Sequence, residues 1–227
     1  MKNASDLQNK LGDQPFTKRP DQFGFVVPDL HQAIKDWLDQ GVGPWFTLGP
    51  GRVDTEYLGN SSCPKLILAY CQVGAVQLEL IQPLDGEATS YRDFLAAGRS
   101  GFQHCGFYIE PHEYERSIAQ ATASGAKVQQ TLSFSGAHFA YFVMAAPIGS
   151  PMDRVQLGDV GLGKASAVRN SVTAGYEIGE LIEFKTEIRA LFAKVTEAAT
   201  TWDGKSNPVR NLLGPVAEAG FEMQQLG

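Results

Sequence analysis

Two glutamates in this chain stand where a charged side chain is out of place. Leu78-Glu79-Leu80 and Ile182-Glu183-Phe184 each set a carboxylate between large apolar residues in a strand-like run. Side chains alternate across a strand, so each carboxylate faces away from neighbours that want the core. Such a group meets either water or a polar cavity inside a curved sheet, and in a cavity it is able to take up and return a proton. Two more polar residues open strand-like runs: Gln22 before Phe23-Gly24-Phe25-Val26-Val27, and His104 before Cys105-Gly106-Phe107-Tyr108-Ile109. One amide, one imidazole and two carboxylates are therefore candidates to converge on a single cavity.

Convergence requires a repeated framework, and the sequence contains one. After a polar arm over 1–20, the strand at 23–27 leads through Pro28-Asp29, a stop and a helix N-cap, into Leu30, Ala33, Ile34, Trp37 and Leu38 at helical spacing. Gly41 suits the end of that helix. Strands are expected around 45–58, 65–71 and 76–81, a β-α-β-β-β order. The order restarts at His104, 82 residues after Gln22, and Gly125 follows Gly41 by 84, so the two helices keep step. Self-similarity at this length means a duplicated supersecondary unit. Ser90-Tyr91-Arg92-Asp93 reads as a capping box between the halves. Strands are expected again at 137–144 and 178–184. Ile188, Leu191, Phe192, Val195, Ala199 and Trp202 then form the stripe of an amphipathic C-terminal helix.

Composition narrows the function. A formal net charge of -6 disfavours nucleic acid as a partner, because phosphate recognition needs a basic face. No apolar run approaches the roughly 18 residues of a membrane helix, and the N-terminus lacks a signal-peptide core, so the expected location is cytoplasmic. Cys63, Cys71 and Cys105 show no paired spacing and are expected to be reduced thiols. Gly158-Asp159-Val160-Gly161-Leu162-Gly163-Lys164-Ala165 approaches a phosphate-binding loop, but Ala165 stands where Ser or Thr would hold magnesium, and a flexible loop accounts for the glycines.

Gln22 to Leu30 resembles the opening strand of the vicinal oxygen chelate superfamily, the group of glyoxalase I and methylmalonyl-CoA epimerase. Gly101 to Phe107 resembles the start of its second half, and Val76 to Pro83 its first carboxylate strand. Arg92-Asp93-Phe94-Leu95 and Gly41-Val42-Gly43-Pro44-Trp45 are similar to the epimerase-like branch. The resemblance covers about residues 20–200. It implies an α+β fold of two βαβββ modules forming a curved mixed sheet around a central cavity, plus a C-terminal helix. Module one spans about 21–85 and module two about 101–185, with an insertion in 145–175; residues 186–227 form a helical extension.

Carried over residue by residue, the family's metal positions fall on Gln22, Glu79, His104 and Glu183, a set similar to that of eukaryotic-type glyoxalase I. Oxygen and imidazole ligands suit Zn, Ni, Co, Mn or Fe alike. The fourth position departs from the pattern. Glu183 follows His104 by 79 residues, whereas Glu79 follows Gln22 by 57, and Gln156 and Asp153 are rivals for it. The resemblance implies a metal-dependent isomerase, epimerase or lyase that moves a proton next to a carbonyl of a small organic substrate, with Glu183 as base and Glu79 second. Phe25, Phe107, His138 and Tyr141 are the substrate-cavity candidates, with plain core packing the competing reading of the aromatics. Two other functions stay open: a binding or sequestering protein without chemistry, and an iron-dependent ring-cleaving dioxygenase relative, against which Gln22 speaks. The family's modules pair within one chain or across a homodimer, and both arrangements remain open.

Overall fold

Strands β1 (Gln22–Val26) and β7 (Gly101–Ile109) lie antiparallel, side by side, at the centre of the sheet. They belong to a computed structural model that describes residues 15–144 and 178–214. Module one continues from β1 through α1 (Leu30–Asp39), β2 (Trp45–Arg52), β3 (Asp54–Tyr57), β4 (Asn60–Ser62), β5 (Lys65–Val73) and β6 (Val76–Pro83). Helix α2 (Ser90–Ala96) bridges to β7, and α3 (Tyr114–Ala123), β8 (Lys127–Phe134), β9 (Ala137–Val143) and β10 (Ile178–Glu183) complete module two. Helix α4 (Thr186–Thr201) and the short β11 (Val209–Asn211) close the described chain.

Among the described residues these strands form one mixed sheet in the order β11-β2-β5-β6-β1-β7-β10-β9-β8-β3-β4. The order shows how the sheet curls. Strand β2 pairs with β5 near one margin, yet β3, reached after the single residue Val53, pairs with β8 at the other. One residue spans only a few ångströms, so the margins must approach each other and the sheet must wrap a concave interior.

Local signals explain most helix ends. The Asp29 carboxylate accepts from the Gln32 N–H at the start of α1, and Gly41 follows its end at φ +79°, a conformation that costs glycine nothing. Helix α2 starts one residue earlier than the capping box expected at Ser90: Thr89 is the N-cap, accepting from the Arg92 N–H. Strand β8 carries Gln129, Gln130, Thr131 and Ser133, so apolar alternation does not announce it; pairing with β3 and β9 holds it in place.

Helices pack on both faces of the curl. On the convex side α1 covers Cys71, Leu78 and Leu80 with Leu30 and Ile34, while α3 covers Cys105, Phe107 and Leu181 with Tyr114 and Ala121. On the concave side α4 inserts Ile188, Phe192, Val195 and Ala198 against Tyr70, Leu48 and Ala137. Helix α2 sets Tyr91 and Phe94 against Val26, Ile81 and Tyr141. The interior is thus capped by α4 on one side and α2 on the other. Among the described residues no helix is long and apolar enough to cross a membrane.

Gln156, Asp153, the expected insertion in 145–175 and the glycine-rich stretch at 158–165 lie outside the described residues, apart from none of the strand residues used below.

Candidate metal centre

The inward face of β1 carries Gln22, Gly24 and Val26, all buried, because Phe23 and Phe25 take the alternate positions against the convex-side cluster. Two rows of register partners cross the centre of the sheet. In the first, Tyr70 of β5 pairs with Glu79 of β6, Glu79 with Gly24 of β1, and Gly24 with His104 of β7. In the second, Tyr141 of β9 pairs with Glu180 of β10, Glu180 with Gly106 of β7, and Gly106 with Gln22 of β1. The rows read Tyr-Glu-Gly-His and Tyr-Glu-Gly-Gln, so the repeat seen in the sequence becomes a local two-fold relation among side chains.

Each glycine makes room for the ring or amide beside it. A Cβ on Gly24 would lie 1.9 Å from His104 Cε1, and one on Gly106 would lie 2.9 Å from Gln22 Oε1. The imidazole therefore lies across bare backbone, with Nε2 3.2 Å from Glu180 Oε2 and 3.5 Å from Glu79 Oε2. Ligand atoms of Glu79, His104 and Glu180 all fall within 4.8 Å of one another, and the three residues are buried.

Burial and charge compete in this cluster. Burial works to lower the pKa of His104, but hydrogen bonding and attraction from Glu180 and Glu79 outweigh it and raise the imidazole to about 9. Burial also raises Glu79; the hydrogen bond from His104 works the other way, and the charge of Glu180 adds to the rise. Tyr70 and Tyr141 are held well above the ordinary tyrosine range, by burial first and by the carboxylates next, so their hydroxyls stay protonated beside Glu79 and Glu180. Tyr91 extends this on the Glu180 side, its hydroxyl 2.8 Å from that of Tyr141.

The donor set suits a divalent cation. His104 Nε2, Glu180 Oε2 and Gln22 Oε1 are buried without a hydrogen-bond partner, an arrangement that costs free energy unless a cation or proton satisfies it. Two carboxylates, an imidazole and an amide oxygen match the preferences of Zn, Ni, Co, Mn or Fe. Glu79 and Glu180 also line a cavity of about 140 Å³, together with the tyrosines Tyr70, Tyr91 and Tyr141. Its other walls are apolar, among them Leu66, Leu68, Leu132, Phe134 and Phe139.

The residues singled out in the sequence fall as follows. Glu79 and His104 meet in the cluster. Gln22 is buried on the same inward face, its Nε2 donating to Gln77 Oε1 at 2.8 Å while its own Oε1 stays unpaired. Glu183 lies apart. It is three residues beyond Glu180 on the same strand, and an odd step reverses the face. Its carboxylate accepts from the His138 N–H at 3.1 Å and pairs with His138 Nδ1 at 2.8 Å and Lys185 Nζ at 3.2 Å. Burial works to raise Glu183, but the hydrogen bonds from His138 and Lys185 prevail and lower it. Tyr141 lines the cavity, whereas His138 is exposed at that ion pair. Phe25 packs on Trp37 and Phe102, and Phe107 sits in the core under α3.

Glu180 is the ligand-type residue that sequence context does not single out. Its neighbours are Gly179 and Leu181, so it lacks the two large apolar flanks that favour Glu183. A signal does exist: Gly24 and Gly106 each follow the strand-opening Gln22 and His104 by two residues. Only the strand pairing shows that each glycine faces a glutamate.

A search of curated protein sequences finds none that matches. Among solved structures, the chain is similar to a hypothetical protein of Bacillus halodurans C-125, with 15% identity and a TM-score of 0.44 over 74% of this chain and 94% of that one. It is also similar to methylmalonyl-CoA epimerase from Mycobacterium tuberculosis, with 16% identity and a TM-score of 0.40 over 78% and 95%. Similarity extends to a Streptomyces coelicolor methylmalonyl-CoA epimerase variant in complex with 2-nitronate-propionyl-CoA, with 15% identity and a TM-score of 0.39 over 73% and 96%. The family model of the glyoxalase/bleomycin resistance protein/dioxygenase superfamily matches residues 21–142, more than half of the chain. By that match, the chain belongs to the glyoxalase/bleomycin resistance protein/dioxygenase superfamily.

Proposed function

We propose that this protein is a metal-dependent isomerase, epimerase or lyase that moves a proton beside a carbonyl of a small organic substrate. The observation that carries the reading is the Glu79–His104–Glu180 cluster, buried and facing unpaired atoms toward one point beside a largely apolar cavity. Gln22, Glu79, His104 and Glu180 would hold the cation, with Glu180 in the role that sequence context gave to Glu183. A divalent ion at this place supplies Lewis acidity toward a carbonyl oxygen.

The chain's own groups do the rest. The apolar walls exclude water from the substrate and strengthen electrostatic interactions at the polar end. Glu180 is the proposed proton acceptor, with Tyr141 and Tyr91 behind it to fix the carboxylate, and Glu79 is the second acid–base group. Because the two carboxylates approach His104 from opposite neighbouring strands, a proton taken by one can be returned by the other.

The deciding experiment combines metal analysis with proton exchange. Metal-free protein is reloaded with Zn, Ni, Co, Mn or Fe and incubated in heavy water with a panel of 2-oxo compounds. The expected result is about one metal per chain, by the single donor cluster, and metal-dependent exchange at the carbon beside the carbonyl. Exchange should be lost in Glu180→Gln. A protein that takes up no metal and exchanges no substrate hydrogen overturns the proposal.

The apolar lining favours one competing reading, a protein that sequesters a ligand without chemistry. Tight binding of an apolar compound to the metal-free protein, with no exchange on reloading, would establish it. The iron-dependent dioxygenase reading loses support, since the described cluster supplies one imidazole rather than the two of a two-histidine, one-carboxylate triad.

A further inference from the structure

We infer that Gln103 is a positioning residue that decides which nitrogen of His104 is free to bind the cation; the inference rests on the metal-centre reading above. Gly24 pairs with His104 and the next residue, Phe25, pairs with Phe102, so Gln103 is the extra residue of a β-bulge in β7. In a regular strand residues 103 and 104 would point to opposite faces. The bulge instead lets both side chains turn to the interior, where each is buried.

The orientation of the Gln103 amide follows from its partners. Its Nε2 lies 3.2 Å from the backbone carbonyl of Ser90, which can only accept, so the amide nitrogen must face Ser90. Oε1 is then the atom that faces His104 Nδ1, at 3.1 Å, and it too can only accept. The hydrogen must therefore sit on Nδ1. In the neutral ring Nε2 is left with its lone pair, and Nε2 is the atom directed at Glu180 Oε2 and Glu79 Oε2. A lone pair facing two carboxylate oxygens is repulsive without a cation between them.

The anchor behind Gln103 is firm. Ser90 is the first residue of α2, and its N–H donates to Gln130 Oε1 at 2.8 Å. The imidazole is thus tied through Gln103 to the helix that also places Tyr91 against the cavity. Outer partners of metal-binding histidines act in this way, and their loss costs roughly 10- to 100-fold in metal affinity.

Three proteins test the inference: the wild type, Gln103→Leu, which removes the acceptor at similar size, and Gln103→Glu, which restores one. Cobalt(II) affinity is measured by competition with a chelator, and the exchangeable ring N–H of His104 is followed by proton NMR of the cobalt form. The expected result is a shifted N–H signal in the wild type and in Gln103→Glu. In Gln103→Leu that proton exchanges faster and cobalt binds roughly 10- to 100-fold more weakly. Nitrogen-15 NMR of the metal-free proteins, at a pH where the ring is neutral, reads the tautomer directly: Nδ1–H in the wild type and in Gln103→Glu, and a mixture in Gln103→Leu. Equal cobalt affinity and an unchanged tautomer in Gln103→Leu would overturn the inference while leaving the metal centre intact. Failure of the wild type itself to bind cobalt would instead remove the functional reading, and the metal-free tautomer would still decide the role of Gln103.

Discussion

Glu180 stands to Gly106 as Glu79 stands to Gly24. Each glutamate is the parallel-strand partner of a glycine, and the two glycines are 82 residues apart, the same interval that separates Gln22 from His104. Duplication therefore reaches the side chains of the site and not only the backbone. The two halves differ at one point: an imidazole lies over Gly24, and an amide lies beside Gly106.

This relation separates two glutamates that are near neighbours in sequence. Glu180→Ala removes a member of the cluster and is expected to bring bound metal close to zero by elemental analysis. Glu183→Ala removes only the partner of His138 and Lys185. It should keep full metal content and cost about 1 kcal/mol of stability, as partly exposed ion pairs do. Metal retained in the first variant and lost in the second would reverse the assignment.

Gly24→Ala tests the contact that seats the imidazole. The new methyl group would overlap the His104 ring at 1.9 Å, in a site where neither the strand nor the buried ring has space to give. Overpacking of this kind costs about 2 kcal/mol, read by urea denaturation, and metal binding should be lost with it. Gly106→Ala meets Gln22 at the looser 2.9 Å and should be the milder change.

The raised imidazole makes stability depend on pH when no metal is present. For a group whose folded pKa lies above its unfolded value, the stabilisation is complete below the unfolded pKa and is lost as pH rises through the folded one. For His104 that window runs from 6.5 to about 9. Glu79 is also raised, so it acts with the same sign from 4.5 upward. In chelator, unfolding free energy should therefore fall by about 2 kcal/mol or more between neutral pH and pH 9. With saturating divalent metal the trend should reverse, because the cation displaces the His104 proton and binds more tightly as pH rises. A flat profile in chelator would show that the imidazole is not held between the two carboxylates.

Phe192→Ala addresses the closure of the interior by α4. Phe192 is buried, its ring 5.2 Å from that of Tyr70 and 5.8 Å from that of Tyr108. Removing it should cost about 3 kcal/mol and loosen Tyr70 beside Glu79. Calorimetry would measure the first effect, and a weakened metal affinity the second. No loss of stability would show that α4 is not part of the core.

The order of elements and the duplication were legible in the chain, because apolar periodicity and capping residues act over a few neighbours. Gln22, Glu79 and His104 stood out for the same reason, as polar residues on strands whose other face is apolar. The tertiary structure decided the rest. Period two tells which residues of one strand share a face, but it does not say which residue of another strand lies opposite. Glu180 and Glu183 are both plausible by local context, and only the pairing of β10 with β7 places Glu180 beside Gly106 and turns Glu183 toward His138. The bulge that brings Gln103 to His104, and the tyrosines behind the carboxylates, follow from register between distant strands, which long-range pairing sets and local sequence does not encode.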